Sequence, residues 1–178
     1  LTGEANVEAV HGDLRLTGLG GTTRVAQVDG DLRADDVADL RLIGRCAGDL
    51  RFETGGNLEA EMVAGDVRIA QAAAVRLNRV HGDLWAERLS GALDIEQVSG
   101  DVRLTEIGGS VNLKLARGDL RVRDLTNGLT APQVQGDAVL QGAFAPTAAY
   151  TLHADGDVSL SLAGEADVRL TVRAHGRI

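Results

Sequence analysis

Acidic side chains recur along this sequence in nine Gly-Asp pairs, and a carboxylate can act as a general acid or base, bind a cation or hold a polar ligand. The pairs begin at residues 12, 30, 48, 65, 82, 100, 118, 136 and 156, so successive pairs lie 17 to 20 residues apart. The aspartates of the first eight pairs are Asp13, Asp31, Asp49, Asp66, Asp83, Asp101, Asp119 and Asp137. Such regular spacing indicates a structural repeat rather than one reactive carboxylate.

A second column of residues lies two positions after each of these aspartates. From the first pair to the ninth, its members are Arg15, Arg33, Arg51, Arg68, Trp85, Arg103, Arg121, Val139 and Ser159. If each repeat is one coil of a stack, an aspartate ladder stands beside an arginine ladder on the outer surface. We interpret this first as structural, because aspartate can cap a turn and diagonal Arg–Asp pairs relieve like-charge stacking. The alternative is a charged face that docks a repetitive partner, such as a glycan or another rod, with an exposed Trp85 as a stacking platform for a sugar.

The residue types argue against calcium binding, metal binding by histidine and nucleophilic or acid–base catalysis. Calcium-binding β-roll repeats read Gly-Gly-x-Gly-x-Asp, whereas here one half-repeat in two has an aspartate and the arginines already supply counter-charge. The four histidines are not expected to form a metal or catalytic set. The single cysteine, Cys46, falls at an inward position, where packing is expected rather than nucleophilic chemistry. Acid–base candidates occur only as members of the ladder, so we expect no enzyme, no catalytic or metal-binding residues and no cofactor.

The elements that would position these ladders are short strands. Each repeat divides into halves of about nine residues with the pattern apolar-x-apolar-x-x-apolar-x-Gly-x. In one repeat the inward residues are Leu84, Ala86, Leu89, Leu93, Ile95 and Val98. Apolar residues two apart follow the strand period, and the third lies around a corner. Glycine is expected to form the following turn because positive φ is accessible to it.

The repeat predicts an all-β fold, a single-stranded parallel β-helix (β-solenoid). We expect a right-handed solenoid with about 18 residues per coil, nine to ten coils and a length of about 45 Å, given a strand spacing of about 4.8 Å. Residues 70–80 would pass locally for a helix, but Ala72 and Val75 keep the repeat positions. We expect one domain over 1–178, with regular coils at 1–141, a longer coil with a loop at 142–150 and terminal coils at 151–178, as a segment of a longer protein.

Composition limits the partners. Hydrophobic residues make up 44% of the chain, which disfavours disorder, and the 23 glycines with only 2% aromatic residues suit a narrow aliphatic core. The formal net charge of −8 disfavours nucleic-acid binding, since that affinity comes mostly from neutralising phosphates. The chain has no apolar run of about 18 residues, so no direct membrane insertion is expected.

The repeated unit resembles a bacterial family of β-strand-repeat proteins described as adhesins of unknown function. The segments that carry the resemblance best are Val63-Ala-Gly-Asp-Val-Arg-Ile69 and Val98-Ser-Gly-Asp-Val-Arg-Leu104, and the closing strands around Tyr150–Leu160 and Val168–Val172 are also similar. The resemblance implies a rod associated with the cell envelope or surface, and it brings no catalytic residues. A looser similarity to the bactofilins implies end-to-end polymerisation.

These observations together predict a non-enzymatic β-helical rod. It would act as an adhesin-like or structural scaffold or spacer module of a bacterial cell-envelope-associated protein. The alternatives are a bactofilin-like scaffold that self-associates end to end and a module that binds glycans. The expected partner of the rod is a protein or glycan surface.

Overall fold

A computed structural model describes residues 3–145, 148–163 and 169–178 of the chain. Its 17 β-strands are all parallel and join in one continuous sheet that winds through about nine turns of about 18 residues. The strands are β1 Ala5–Val10, β2 Leu14–Val28, β3 Leu32–Cys46, β4 Leu50–Phe52, β5 Gly55–Val63, β6 Val67–Ile69, β7 Ala74–Val80, β8 Leu84–Leu89, β9 Leu93–Val98, β10 Val102–Ile107, β11 Val111–Ala116, β12 Leu120–Leu125, β13 Leu129–Val134, β14 Ala138–Phe144, β15 Ala149–Ala154, β16 Val158–Leu162 and β17 Arg169–Ala174. The predicted β-solenoid is therefore confirmed.

Each coil contributes two strand segments, which stack on two separate faces of the solenoid. The first face follows each Gly-Asp turn and contains β4, β6, β8, β10, β12, β14 and β16, together with the starts of β2 and β3. The second face contains β1, the ends of β2 and β3, and β5, β7, β9, β11, β13, β15 and β17. β2 and β3 run around the corner without a break, which links both faces into one sheet.

The core is a column of aliphatic side chains between the two faces. In the coil of β8 and β9 all six predicted inward residues are buried, and Leu84, Leu93 and Val98 have no exposed surface. Register pairs like with like, as in Val102 with Leu84 and with Leu120. Burying a Leu or Val side chain contributes about 1.5–3 kcal/mol, so the stacked column is the main source of stability.

The segment with local helical character is a strand. β7 spans Ala74–Val80, and Ala72 forms a parallel bridge with Leu89 of the next coil. Ala72 and Val75 are buried at the repeat positions expected from the array. Stacking on the neighbouring coils therefore overrides the local preference of this Ala- and Leu-containing segment.

Glycine has a different role from the predicted one. Positive φ occurs at the corner of the first face, at Asp36, Arg88, Glu106 and Asp124 with values of 50–55°, and at Gly18 and Gly142. The glycines of the Gly-Asp pairs do not have it, so the prediction that they supply positive φ was wrong.

The Gly-Asp glycines are needed because successive coils approach closely. A Cβ atom added to Gly48 would overlap Oδ1 of Asp31 and the backbone of Gly30, and the other internal Gly-Asp glycines meet the same two groups of the preceding coil. Gly12 is the exception, since an added Cβ would have nothing within 4 Å.

Local changes in coil size are compensated inside the core. Gly55 stands in register with Val37, where the corner would otherwise hold an aliphatic side chain. The fully buried ring of Phe52 occupies the space next to Gly55. Near the loop expected at 142–150, the rings of Phe144 and Tyr150 pack edge to face with centroids 5.2 Å apart. Residues 146 and 147 of that loop and Val168 lie outside the described residues, as do Leu1 and Thr2.

Within the described ranges there is no helix of sufficient length and apolar character to cross a membrane.

Candidate functional site

The aspartate ladder joins each coil to the next through a side-chain hydrogen bond. Oδ1 of Asp13 accepts a hydrogen bond from the backbone N–H of Asp31 at 2.9 Å. The same bond recurs between all successive ladder aspartates, at 2.8 to 3.0 Å, up to Asp157. Oδ1 of Asp157 then accepts from the N–H of Arg177 at 2.7 Å. The carboxylates therefore cap turns, as predicted, but each caps the turn of the following coil rather than its own.

The backbone of each ladder aspartate also bonds to the preceding coil. The carbonyl oxygen of Asp31 accepts from the N–H of Leu14 at 2.8 Å, and the carbonyl of Asp49 accepts from Leu32 at 2.8 Å. Each internal aspartate thus holds both neighbouring coils, and one oxygen of every carboxylate is committed to this structural task. A net gain of about 1 kcal/mol for each such bond is typical.

The arginine ladder lies in register along the first face, as predicted. Arg15 pairs with Arg33, Arg33 with Arg51 and Arg51 with Arg68. Trp85 follows Arg68 in register, and the column continues through the remaining predicted members, which are Arg103, Arg121, Val139 and Ser159.

Ion pairs divide the arginine ladder into two parts. In the C-terminal part, Asp101 lies 3.7 Å from Arg103 and 3.7 Å from Arg121, and Arg121 lies 3.1 Å from Asp119. The Asp101–Arg121 contact is one of the predicted diagonal pairs.

In the N-terminal part of the ladder, arginines bond instead to a glutamate outside it. Glu53 lies 3.2 Å from Arg33 and 3.9 Å from Arg51. Among the residues that the structure describes, no ladder aspartate in this part forms an ion pair with a ladder arginine. Nε of Arg33 is buried and has no hydrogen-bond partner within the described ranges.

Two adjoining clefts follow the first face. The first has a volume of about 410 Å³, and its charged lining residues are Asp13, Asp31, Asp49, Asp66, Arg15, Arg33, Arg51 and Arg68. The second, of about 470 Å³, contains Trp85 with Glu53, Glu87 and Arg103. Arg51 and Arg68 line both, so a shallow polar groove runs along the first face. Guanidinium donors and carboxylate acceptors both line the groove, which suits hydrogen bonding to a polar ligand.

Trp85 is not the exposed platform that the sequence predicts. The residue is half-buried, and the guanidinium carbon of Arg68 lies 4.5 Å from the centre of its ring. The guanidinium of Arg103 lies 5.6 Å from the ring centre. These are cation–π distances, and coil stacking places the two arginines on either side of Trp85. A sugar could stack on this ring only after one arginine moves.

Cys46 occupies the inward position predicted for it. Its side chain is fully buried, in register with Val28 and Val63, and Sγ lies 3.4 Å from the carbonyl oxygen of Gly30. Burial raises the pKa of the Cys46 thiol, which keeps it protonated at neutral pH. Packing rather than nucleophilic chemistry accounts for this residue.

The structure brings two of the four histidines close together beside an aspartate, although the sequence predicts no metal or catalytic set among the histidines. His153, Asp155 and His175 bring one ligand atom each to within 4.8 Å of one another. The signal was present in the sequence, because Asp155 and His175 immediately precede Gly156 and Gly176. The turn at His175 and Gly176 was not recognised as part of the repeat, because Arg177 rather than an aspartate follows Gly176.

The comparisons with known proteins give a family and no individual relative. The model of the family Toastrack DUF4097 matches residues 42–175, which is well over half of the chain. The chain belongs to this family. Toastrack is an uncharacterised domain family, so membership supports the predicted resemblance at that level and leaves the adhesin label and the bactofilin similarity as predictions. No curated protein and no solved structure matches this Toastrack chain.

Proposed function

We propose that this Toastrack chain is a non-catalytic rod that serves as a scaffold or spacer, in an adhesin-like protein of the bacterial cell envelope. The observation that carries the proposal is the ladder of coil-to-coil hydrogen bonds from Asp13 to Arg177. Together with the aliphatic core, this ladder makes every coil a continuation of the previous one. Such a stack keeps the segments at its two ends at a fixed separation.

The same ladder argues against catalysis on the first face. A general acid or base must exchange its proton at a free oxygen. Oδ1 of each ladder aspartate accepts a backbone N–H of the next coil, and Oδ2 of Asp101 and of Asp119 lies in ion pairs with arginines. Protonation of Oδ1 would oppose the hydrogen bond that positions the following turn. The carboxylates are therefore better suited to structure than to proton transfer.

A pair of variants tests the rod. Asp101→Asn keeps an acceptor oxygen for the N–H of Asp119 but removes the charge, whereas Asp101→Ala removes both. We expect small-angle X-ray scattering to give the same elongated particle for wild type and Asp101→Asn, and polysaccharide or peptide substrates to remain intact with either. Turnover of a substrate that is lost in a folded Asp101→Asn variant would overturn the proposal. Assembly into longer filaments with rising concentration, seen by sedimentation, would favour the end-to-end polymer instead.

A second candidate function is glycan binding in the groove of the first face. Its support is the cleft that four arginines and four aspartates line together. Because the two signs nearly balance, the groove suits a neutral polysaccharide, whose hydroxyl groups can both donate and accept, better than an acidic one. The polymer would run along the rod and contact successive coils.

Glycan binding is tested on the two faces of the same rod. We expect a glycan array to show binding that is lost in the double variant Arg33→Gln/Arg51→Gln. The matched control, Arg24→Gln/Arg41→Gln, changes two neighbouring arginines of the second face and should bind as wild type does. Binding that survives the first-face change and disappears with the second-face change would contradict this assignment.

A further inference from the structure

We propose that His153, Asp155 and His175 form a binding site for a divalent transition metal of the Zn²⁺ class, which joins the last two coils of the solenoid. The inference is independent of the rod and glycan proposals, because these residues lie at the C-terminal end of the second face and touch neither cleft of the first face.

The three side chains come from two successive coils. His153 is on β15, Asp155 begins the turn after β15, and His175 begins the corresponding turn after β17. Nδ1 of His175 lies 3.1 Å from Oδ1 of Asp155, and the two imidazole rings lie with centroids 5.5 Å apart at an angle of 65°. Rotation of these side chains about χ1 and χ2 can turn one ligand atom from each toward a common centre.

The solenoid holds the backbone of the site in place. The N–H of Asp155 donates to the carbonyl of Val134 at 2.8 Å, and the N–H of His175 donates to the carbonyl of Ala154 at 3.2 Å. Register pairs His153 with Arg173, one residue before the corner. Only side-chain rotation is therefore needed to close the site around an ion.

The ligand set determines the class of metal. Two imidazole nitrogens and one carboxylate oxygen suit Zn²⁺ and its neighbours, whereas Ca²⁺ and Mg²⁺ prefer an all-oxygen shell. Three protein ligands leave the fourth position of a tetrahedral ion to water. His175 and Asp155 are well exposed, so the ion would exchange with solvent.

The other end of the chain contains a related His–Asp pair in which the order of the two coils is reversed. Nδ1 of His11 lies 2.8 Å from Oδ2 of Asp29, as a His–Asp pair from two successive coils. The residue two positions before that aspartate is Gln27, which donates its own hydrogen bond to Asp29 at 2.6 Å. Gln27 thus takes the place that His153 has beside Asp155. An amide in place of the imidazole lacks the third strong ligand, so the two ends provide an internal comparison.

A metal at this site would fasten the terminal strand to the rod. His153 and Asp155 belong to the coil of β15, and His175 to the coil of β17, so all three bonds together bridge the interface between β15 and β17. A ligand that binds only the folded arrangement stabilises it in proportion to its free concentration. The effect should be local, because the core of the earlier coils does not depend on this interface.

The experiment uses the chain without a histidine tag and Zn²⁺ alone as the probe. Isothermal titration should show one Zn²⁺ per chain for wild type. The affinity should fall at least tenfold in His175→Gln and in His153→Gln, which places an amide two positions before the aspartate as Gln27 does. His11→Gln and His81→Gln are the matched controls and should bind as wild type, and circular dichroism checks that each variant is folded. No binding to folded wild type, or equal binding by His153→Gln, would overturn the proposal.

Hydrogen exchange tests the bridging role separately. Zn²⁺ should slow exchange of the β17 amides in wild type and leave them unchanged in His153→Gln. Exchange of β8 and β9, in the middle of the rod, should be the same with and without the ion. Zn²⁺ that binds but leaves β17 exchange unaltered would overturn the assignment of the ion as a link between coils.

Discussion

The two faces of this solenoid share one backbone geometry but differ in how charged side chains are arranged along their stacked strands. On the second face, the column begins with Asn6, continues with two arginines, Arg24 and Arg41, and then alternates through Glu59, Arg76 and Asp94. Arg41 lies 3.4 Å from Glu59, and Arg76 lies 3.8 Å from Asp94. The column ends in uncharged side chains, which are Asn112, Thr130, Thr151 and Thr171.

The first face has no such alternation within its column. Four arginines follow one another from Arg15 to Arg68. Two of them form ion pairs with Glu53, and the carboxylates of the neighbouring aspartate ladder accept hydrogen bonds from backbone N–H groups instead. Directly opposed like charges on neighbouring strands are destabilising. On the second face, Arg41 and Arg76 thus pair with carboxylates of their own column, whereas the first-face column from Arg15 to Ser159 contains no carboxylate.

The largest effect should come from the core that both faces share. Leu104 is 1% exposed on the first face, and Leu104→Asp would place an unpaired charge among stacked aliphatic side chains. We expect a loss of at least about 4 kcal/mol, or failure to fold, because this belongs to the most damaging class of substitution. Arg103→Ser, the adjacent outward change, should cost about 1 kcal/mol or less. Similar losses of Tm for the two would show that the assigned inward and outward positions are wrong.

The next largest loss of stability should distinguish the glycine of an internal Gly-Asp turn from the glycine of the first turn. Gly100→Ala would drive a Cβ into Oδ1 of Asp83 and the carbonyl of Gly82, with an expected loss of about 2 kcal/mol in urea denaturation. Gly12→Ala is the matched control in the same motif, because nothing lies within 4 Å of the added atom. Gly12→Ala should leave stability unchanged or raise it slightly, because alanine lowers the conformational entropy of the unfolded chain. Equal losses for the two would point to glycine flexibility rather than close approach.

A smaller effect compares aspartates of the two faces. Asp101→Ala removes the acceptor of the Asp119 N–H and the ion pairs to two arginines, so we expect a loss of about 1–2 kcal/mol. Asp94→Ala on the second face removes only side-chain contacts, to Arg76 and Asn112, and should cost about 0.5 kcal/mol. Urea denaturation of both variants gives the comparison. Asp101→Asn should recover most of the first loss, and no recovery would contradict the capping role.

The smallest effect would make the second face resemble the first. Glu59→Arg would create a run of arginines from Arg24 to Arg76 and should cost about 0.5 kcal/mol at low salt. Glu59→Gln removes the ion pair without adding repulsion and should cost less. The difference between the two should shrink at 1 M NaCl, because surface charges are then screened. A difference that persists in high salt would show that the alternation on the second face is not electrostatic in origin.

The sequence predicts the positions of the core residues and of the aspartate and arginine ladders well, because strand parity and an interval of 17 to 18 residues define them locally. Cys46 is an example, since its place follows from Val28 one coil earlier. The role of the Gly-Asp glycines was not predictable from the sequence, because glycine is suited both to positive φ and to close approach of two backbones. Only the stacking of Gly48 on Asp31 shows that close approach is the reason here. Trp85 was misjudged because its burial depends on Arg68 and Arg103, two neighbours that stack on it from different coils.

The direction of the aspartate hydrogen bonds has a consequence for how the chain is made. Oδ1 always lies on the earlier coil and the N–H that it accepts from always lies on the later one, from Asp13 to Arg177. During synthesis the earlier coil leaves the ribosome first, so its acceptor is in place before the donor appears. Each coil can then act as the template on which the next one forms, in the order of translation.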